Sequence, residues 1–154
     1  MTDFTINYQP QADDEVLIAN AVAALAHAYA PYSAFHVAAA LLLDNGVIVT
    51  GTNQENAAYP AGMCAERVAL FTAASQYPGE NIRKMAVVAR RAGSPEFSPA
   101  TSCGSCRQVM LEFEHRQAKP FEVIMLERPG SWLHARSAAS LLPFSFNKSN
   151  LSEP

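Results

Sequence analysis

A chain of 154 residues has the size of a single domain and can bury a core without disulfide bonds. Apolar residues make up 49% of it and charged residues 16%, which excludes an intrinsically disordered protein. The 11 Lys and Arg residues are outnumbered by 14 Asp and Glu residues, and the net charge of −3 argues against a general nucleic-acid-binding protein. So few charges in so apolar a chain suggest further buried surface between subunits.

We find no targeting or membrane signal in the sequence. Residues 1–16 are polar and acidic, without the basic and then apolar stretches of a signal peptide. The longest apolar run, residues 37–43, is too short to span a bilayer. We therefore expect an intracellular, cytoplasmic protein without a membrane partner, in which the three cysteines are reduced.

The first predicted elements are a helix and a β-hairpin. Acidic residues 13–15 favour a helix start, and Pro31 ends the helix. Between them, apolar residues follow at the spacing of one helical face: Ile18, Val22, Leu25 and Tyr29. Residues 35–43 read as a strand with two apolar faces, and the Asp-Asn-Gly turn that follows leads into a second strand at 47–49.

The remainder alternates helices with strands. The predicted segments are a helix over 64–77, a strand over 85–89, a helix over 103–116 and a strand over 121–126. The sequence is ambiguous from Leu133 to the stop at Pro143, and residues 147–154 are typical of a solvated tail. We predict an α/β fold in one domain, residues 1–154. The architecture expected is a three-layer α/β/α sandwich with a mixed, mostly five-stranded sheet.

All three cysteines lie where a predicted helix begins. Cys64 opens one helix, and Cys103 with Cys106 opens another, so two helix N-termini favour the thiolate form. Three thiolates can hold a zinc ion and leave its fourth position to water, which is typical of catalytic zinc sites. Glu66 lies two residues from Cys64, where a carboxylate can carry protons for an activated water.

Other interpretations of the cysteines are open from these residues alone. The three could be small buried apolar residues, and a Cys-x-x-Cys pair could be a redox dithiol. The four histidines have no spacing that would complete a familiar structural zinc motif. The separate Cys64-Ala65-Glu66 favours zinc over redox chemistry, because a dithiol has no use for it.

Two segments resemble the zinc signature of the small homotetrameric cytidine deaminases. They are Cys64-Ala65-Glu66-Arg67 and Cys103-Gly104-Ser105-Cys106-Arg107-Gln108. Three further segments are similar to that family in matching order: a first substrate loop at 32–35, a ribose-binding segment at 51–59 and a C-terminal closure at 141–146. The resemblance runs from about Tyr32 to Phe146 and implies the cytidine deaminase-like fold.

The resemblance implies a reaction and the residues that carry it. Cytidine and deoxycytidine would be hydrolysed to uridine and deoxyuridine plus ammonia, in pyrimidine salvage. Cys64, Cys103 and Cys106 would hold one zinc ion per chain. Glu66 would move a proton from the attacking water to the ring nitrogen and then to the leaving amine. The backbone N–H of Ala65 would donate to the ring carbonyl.

The resemblance also implies how the nucleoside is held. Phe35 would pack against the base, while Asn53 and Glu55 would hold the ribose 3′-hydroxyl. Tyr59 and Phe146 would complete the sites of neighbouring subunits in a homotetramer. Because the 3′-oxygen is esterified inside DNA and RNA, and a carboxylate repels phosphate, Glu55 would select a free nucleoside over a nucleic acid.

Three residues beside the zinc signature modify this expectation. Arg67 is expected to hydrogen-bond the thiolates and draw off charge, since three thiolates on zinc leave a net charge of −1. Ser102 stands where the family usually has proline, which loosens the loop before Cys103. Ala38 stands where the family usually has glycine, and its methyl group is expected to crowd a neighbouring element. We expect activity to survive both changes.

Three other functions compete with this one. A related deaminase could act on another aminopyrimidine nucleoside or on a nucleoside antibiotic. A nucleic-acid-editing deaminase is disfavoured by the net charge and by Glu55. A non-catalytic, zinc-stabilised oligomeric module is disfavoured by Glu66, since a structural zinc site needs no carboxylate beside an open coordination position.

Overall fold

The protein folds around one six-stranded mixed sheet in the computed structural model, which describes residues 3–151. The strands are β1 Phe4–Tyr8, β2 Phe35–Leu43, β3 Ile48–Thr52, β4 Ile82–Arg91, β5 Glu122–Arg128 and β6 Ser131–Ala135. Their order across the sheet is β1-β6-β5-β4-β2-β3. β4 and β5 pair in parallel, and the other four neighbouring pairs are antiparallel. The predicted hairpin is therefore present, with β3 at one edge.

Helices cover both faces of the sheet, which confirms the three-layer sandwich. They are α1 Ala12–Ala24, α2 Ala65–Gln76 and α3 Gly104–Gln117. The main core lies between the sheet and α2 with α3, and a smaller cluster lies between α1 and the opposite face. Among residues 3–151, no helix combines the length and apolar character that crossing a membrane requires.

The N-terminal half of α1 is fixed by a buried carboxylate. Asp14 is fully buried and accepts hydrogen bonds from the Tyr8 hydroxyl at 2.5 Å, the Gln11 backbone N–H at 2.9 Å and Lys84 Nζ at 2.6 Å. These contacts join β1, α1 and β4 at one point. Burial opposes ionisation of Asp14, but the three hydrogen bonds outweigh it and lower the pKa of this carboxyl.

The apolar face of α1 is rotated from the predicted one. Leu17 and Ala21 are the buried residues at its centre, whereas Ile18 and Val22 are only partly buried. Tyr29 lies beyond the helix and is exposed. Small alanines matter more than large side chains here, because the facing strands β2 and β4 are themselves rich in alanine and allow close packing.

The sheet has six strands, where a mostly five-stranded sheet was predicted. β1 and β6 form from segments that the sequence analysis did not assign as strands. β6 is short, with alternating buried residues Ser131, Leu133 and Ala135, and polar residues interrupt its apolar signal. β1 is an edge strand with mostly exposed residues, and its register shifts between Ile6 and Tyr8. Residues 147–151 of the predicted tail include a short 3₁₀ turn, Lys148–Asn150; residues 152–154 lie outside the described residues.

A glycine on β3 sets the position of α2. A Cβ atom at Gly51 would lie 2.3 Å from the backbone nitrogen of Ala69 and 2.6 Å from the carbonyl oxygen of Ala65. Any residue other than glycine would push the backbone of α2 away from the backbone of β3. The first turns of α2 therefore pack directly on β3. This contact fixes the N-terminus of α2, which carries Cys64 and Glu66.

Candidate metal centre and active site

The N-termini of α2 and α3 bring the three cysteines together. Cys64 and Cys103 are the residues immediately before these helices, and Cys106 lies in the first turn of α3. The Cys103 sulfur lies 3.9 Å from that of Cys64 and 3.4 Å from that of Cys106, and all three sulfurs lie within 4.8 Å of one another. Tetrahedral zinc with Zn–S bonds of about 2.3 Å separates its sulfur ligands by roughly 3.8 Å. The donor set therefore fits zinc.

The surroundings of this cluster favour a thiolate at Cys64. Hydrogen bonding to Cys106 and to the Arg67 guanidinium, whose Nη2 lies 3.7 Å from the Cys64 sulfur, lowers the pKa of Cys64 to about 5. The pKa of Cys106 is raised, because that thiol donates to Cys64 and is buried. The N-terminal dipoles of α2 and α3 add to the positive field. Arg67 thus occupies the position beside the thiolates that the sequence predicts.

Glu66 points into the same cavity from the first turn of α2. It is only 4% exposed, and burial raises the pKa of its carboxyl. Its own backbone N–H and Ser102 oppose this rise. A carboxyl held in this way can accept and release a proton nearer to neutral pH than an exposed glutamate can.

A cavity of about 610 Å³ joins most of the predicted site residues. Nine of them line it: Phe35, Asn53, Glu55, Tyr59, Cys64, Ala65, Glu66, Arg67 and Cys103. Cys106 lies buried behind the wall. Phe146 does not line the cavity of its own chain; its side chain is 59% exposed, and its carbonyl accepts a hydrogen bond from Gln108 Nε2 at 2.7 Å.

The polar end of the cavity is built from β2 and the segment after β3. The Asn53 side chain accepts a hydrogen bond from the Val37 backbone N–H at 2.8 Å and donates one to the Phe35 carbonyl at 2.8 Å. The side-chain amide of Asn53, which follows the end of β3, thus forms hydrogen bonds with the backbone of β2 as a further strand residue would. Phe35 forms part of the cavity wall, and the Arg91 guanidinium carbon lies 5.5 Å from the centroid of its ring. Tyr59 lines its own chain's cavity beside Tyr32.

Ser102 and Ala38, the two departures from the family pattern, are both accommodated. Ser102 is buried, and its N–H and hydroxyl lie 3.2 Å and 3.3 Å from the Met125 sulfur. Ala38 is buried in the cluster beneath α1, where Ala21 and Ala24 are also small. The methyl group of Ala38 is thus fully buried in a cluster that includes other small side chains.

Arg107 has a role that the sequence interpretation missed. Its Nε donates to the Ser102 carbonyl at 2.8 Å, and its Nη1 donates to the Leu141 carbonyl at 3.2 Å. It therefore ties the loop before Cys103 to the C-terminal 3₁₀ helix Ala138–Leu141. The position of Arg107 directly after Cys106 could have indicated a role near the cysteines. Sequence spacing alone does not show which carbonyl groups its guanidinium binds.

Three thiols at two helix N-termini could hold one metal ion, and a buried glutamate lies beside them. This donor set is typical of catalytic zinc proteins. The family model of the cytidine and deoxycytidylate deaminase zinc-binding region matches residues 11–120. The chain belongs to this family of zinc-dependent hydrolytic deaminases.

Individual relatives agree with this assignment. The chain is 41% identical to a cytidine deaminase of Sporosarcina psychrophila over 91% of this chain and 96% of the relative. It is 35% identical to a cytidine deaminase of Mycobacterium tuberculosis over 92% and 96%. The crystal structure of a cytidine deaminase from Burkholderia pseudomallei matches with a TM-score of 0.72 at 41% identity, covering 86% of this chain and 98% of that one.

Proposed function

We propose that this chain deaminates the free nucleosides cytidine and deoxycytidine, yielding uridine or deoxyuridine and ammonia, in cytoplasmic pyrimidine salvage. The observation that carries this proposal is one cavity that joins the thiol cluster, the buried Glu66 and a polar end. Zinc held by Cys64, Cys103 and Cys106 supplies the Lewis acid that makes a water nucleophilic at neutral pH.

Glu66 is the residue that moves protons in this proposal. It takes one proton from the attacking water, passes it to the ring nitrogen of the base, and then assists protonation of the departing amine. Burial supports this role, since it raises the pKa of the Glu66 carboxyl and so favours proton uptake. In this proposal the backbone N–H of Ala65, the first residue of α2, donates to the ring carbonyl.

The opposite end of the cavity determines which substrates fit. Phe35 packs against the base, and Arg91 stacks behind its ring. Asn53 and Glu55 hold the ribose 3′-hydroxyl. A carboxylate at that place accepts a hydrogen bond from a free hydroxyl and repels a phosphate, so nucleosides are preferred to nucleic acids.

We also propose a homotetramer in which chains complete one another's sites. The described surface supports this, because aromatic side chains are exposed near the C-terminus and on α2: Phe144 at 95%, Phe146 at 59% and Phe71 at 47%. Phe146 and Tyr59 contact nucleoside bound by a neighbouring chain in this arrangement.

A substrate panel tests the proposed function. Purified protein is mixed with cytidine, deoxycytidine, cytidine 3′-phosphate and a short cytosine-containing oligonucleotide, and conversion to the uracil form is followed by ultraviolet absorbance. Both free nucleosides should be converted, while the 3′-phosphate and the oligonucleotide react at least about a hundredfold more slowly. Preferential conversion of the oligonucleotide, or turnover of neither nucleoside, would contradict the proposal.

A further inference from the structure

The carboxylate of Glu55 is already held by a turn of the same cavity wall. Its Oε2 accepts hydrogen bonds from the backbone N–H groups of Tyr32, at 2.9 Å, and Ser33, at 3.2 Å. Its Oε1 accepts a hydrogen bond from the Ser33 hydroxyl. Three donors from two consecutive residues thus orient one side chain that lies 22 residues further along the chain.

The Ser33 hydroxyl forms hydrogen bonds with both Glu55 and Phe35, the residues proposed to contact the ribose and the base. It donates its proton to Glu55 and accepts the backbone N–H of Phe35 at 3.1 Å. Phe35 packs on the base in the proposed function, whereas Glu55 binds the ribose. One hydroxyl group therefore sets the position of Glu55 relative to the start of β2.

The turn that carries Ser33 is held from outside the cavity. Ala34 has a left-handed backbone with φ of 53°, a conformation that residues with a side chain adopt only when their surroundings impose it. Its N–H donates to the Ala30 carbonyl at 3.0 Å, and its own carbonyl accepts from Ala92 at 2.8 Å. The turn is therefore also held by backbone hydrogen bonds that do not involve Glu55.

We infer that Ser33 is a positioning residue for ribose recognition: it holds Glu55 in the orientation that accepts the 3′-hydroxyl of the nucleoside. Since this role rests on the proposed function, it deepens that function. A glutamate has three side-chain torsions to fix, and the turn fixes them before substrate arrives. The Ser33 hydroxyl is also the main cause of the lowered pKa of Glu55, which keeps that carboxyl an acceptor.

The test compares a substrate that has the 3′-hydroxyl with one that lacks it. KM and kcat are measured for cytidine and 3′-deoxycytidine, and dissociation constants for uridine and 3′-deoxyuridine by calorimetry. For the Ser33→Ala variant we expect KM for cytidine to rise about tenfold with kcat within about threefold, the loss of one hydrogen bond to a charged group. KM for 3′-deoxycytidine should barely change.

Three further variants separate positioning from a merely structural role. Ser33→Thr keeps the hydroxyl and should restore most of the preference for the 3′-hydroxyl. In a Glu55→Gln background, Ser33→Ala should have little additional effect, because its action passes through Glu55. Ser94→Ala is the matched control, since the Ser94 hydroxyl also closes a local turn, with Glu96, but does not line the cavity.

The possible results distinguish the two proposals. Equal weakening of 3′-hydroxyl and 3′-deoxy ligands by Ser33→Ala, or an unchanged preference, would overturn the role of Ser33 while leaving the deaminase in place. A wild-type protein that deaminates cytidine without any preference for the 3′-hydroxyl would overturn it too. If the wild type neither deaminates cytidine nor binds uridine, the proposed function itself fails, and the inference fails with it.

Discussion

The proposed reaction depends on Glu66 to transfer protons between the attacking water and the base. Glu66→Gln keeps the size and hydrogen-bonding capacity of the side chain but removes its ability to accept a proton. We expect kcat to fall at least about a hundredfold, the usual contribution of a positioned general base, with zinc content and thermal stability retained. Steady-state kinetics and zinc analysis on the same preparation measure both.

A second glutamine variant controls for the loss of a carboxylate in general. Glu112→Gln changes an exposed glutamate on α3 that does not line the cavity, and it should leave kcat unchanged. Equal turnover by Glu66→Gln and the wild type would remove Glu66 from the proton-transfer role.

At the scale of residues, local motifs could be predicted and long-range partners could not. The three cysteines and Glu66 could be found because each motif is local: Cys-x-Glu lies at the start of α2 and Cys-x-x-Cys at the start of α3. The hydrogen bonds from Tyr32 and Ser33 to Glu55 were not predicted. These hydrogen bonds join residues that are 22 or 23 positions apart in the sequence. They also depend on a left-handed backbone conformation at Ala34, which the sequence does not indicate because the residue is not a glycine.

Among the elements, α2 is placed by its contact with β3. Gly51→Ala would put a methyl group inside the backbone of α2, and the helix would have to move outward. We expect a loss of stability of about 2 kcal/mol or more and a clear decrease in zinc affinity, because Cys64 lies at the end of the helix that moves. Chemical denaturation and competition with a zinc chelator measure the two effects.

A glycine in open space provides the matched control for Gly51. A Cβ atom at Gly104 would have no neighbouring atom within 4 Å. Gly104 is the first residue of α3. Gly104→Ala should therefore leave stability within about 0.5 kcal/mol of the wild type, as surface substitutions usually do. Stability of Gly51→Ala equal to that of the wild type would contradict the close packing of β3 on α2.

The attachment of α1 to the sheet predicts how stability depends on pH. The folded pKa of Asp14 is lowered, so its contribution is complete above the ordinary carboxyl range and is lost as the pH falls through the folded pKa. Asp14→Asn should lower stability by roughly 1–3 kcal/mol at neutral pH and flatten the decline on acidification. Thermal unfolding between pH 7 and pH 3 measures this.

The neighbouring carboxylate is the control for this effect. Asp13 is exposed, and Asp13→Asn should leave the acid profile close to that of the wild type. An Asp14→Asn protein with the same steep acid decline as the wild type would show that Asp14 is not the group responsible.

Elements with strong periodicity were predictable, and elements stabilised by their neighbours were not. The hairpin and the helices α2 and α3 follow directly from turn residues, apolar runs and helical spacing, with bounds correct to within one or two residues for these helices. β6 becomes a strand because β5 and β1 pair with it on both sides. A five-residue segment whose apolar residues are interrupted by Ser131 and His134 does not carry that information.

For the whole molecule, the proposed tetramer predicts an effect of Phe146 on substrate but not on zinc. Phe146→Ala should raise KM for cytidine about tenfold, equivalent to 1.4 kcal/mol of binding, with metal content unchanged. Phe97→Ala is the control, since Phe97 stacks under Arg90 and does not line the cavity. Light scattering gives the mass, and a monomeric protein with an unaffected Phe146→Ala variant would contradict shared sites.

Zinc content and cytidine turnover, followed together in one preparation, test the central claim most directly. The purified chain is assayed, stripped with a chelator, and returned stepwise to zinc, with activity and bound metal recorded at each step. The account predicts activity that disappears with the metal and recovers in proportion to it, reaching its maximum near one zinc per chain. Full turnover by the metal-free chain, or a fully loaded chain that leaves cytidine unchanged, would contradict it.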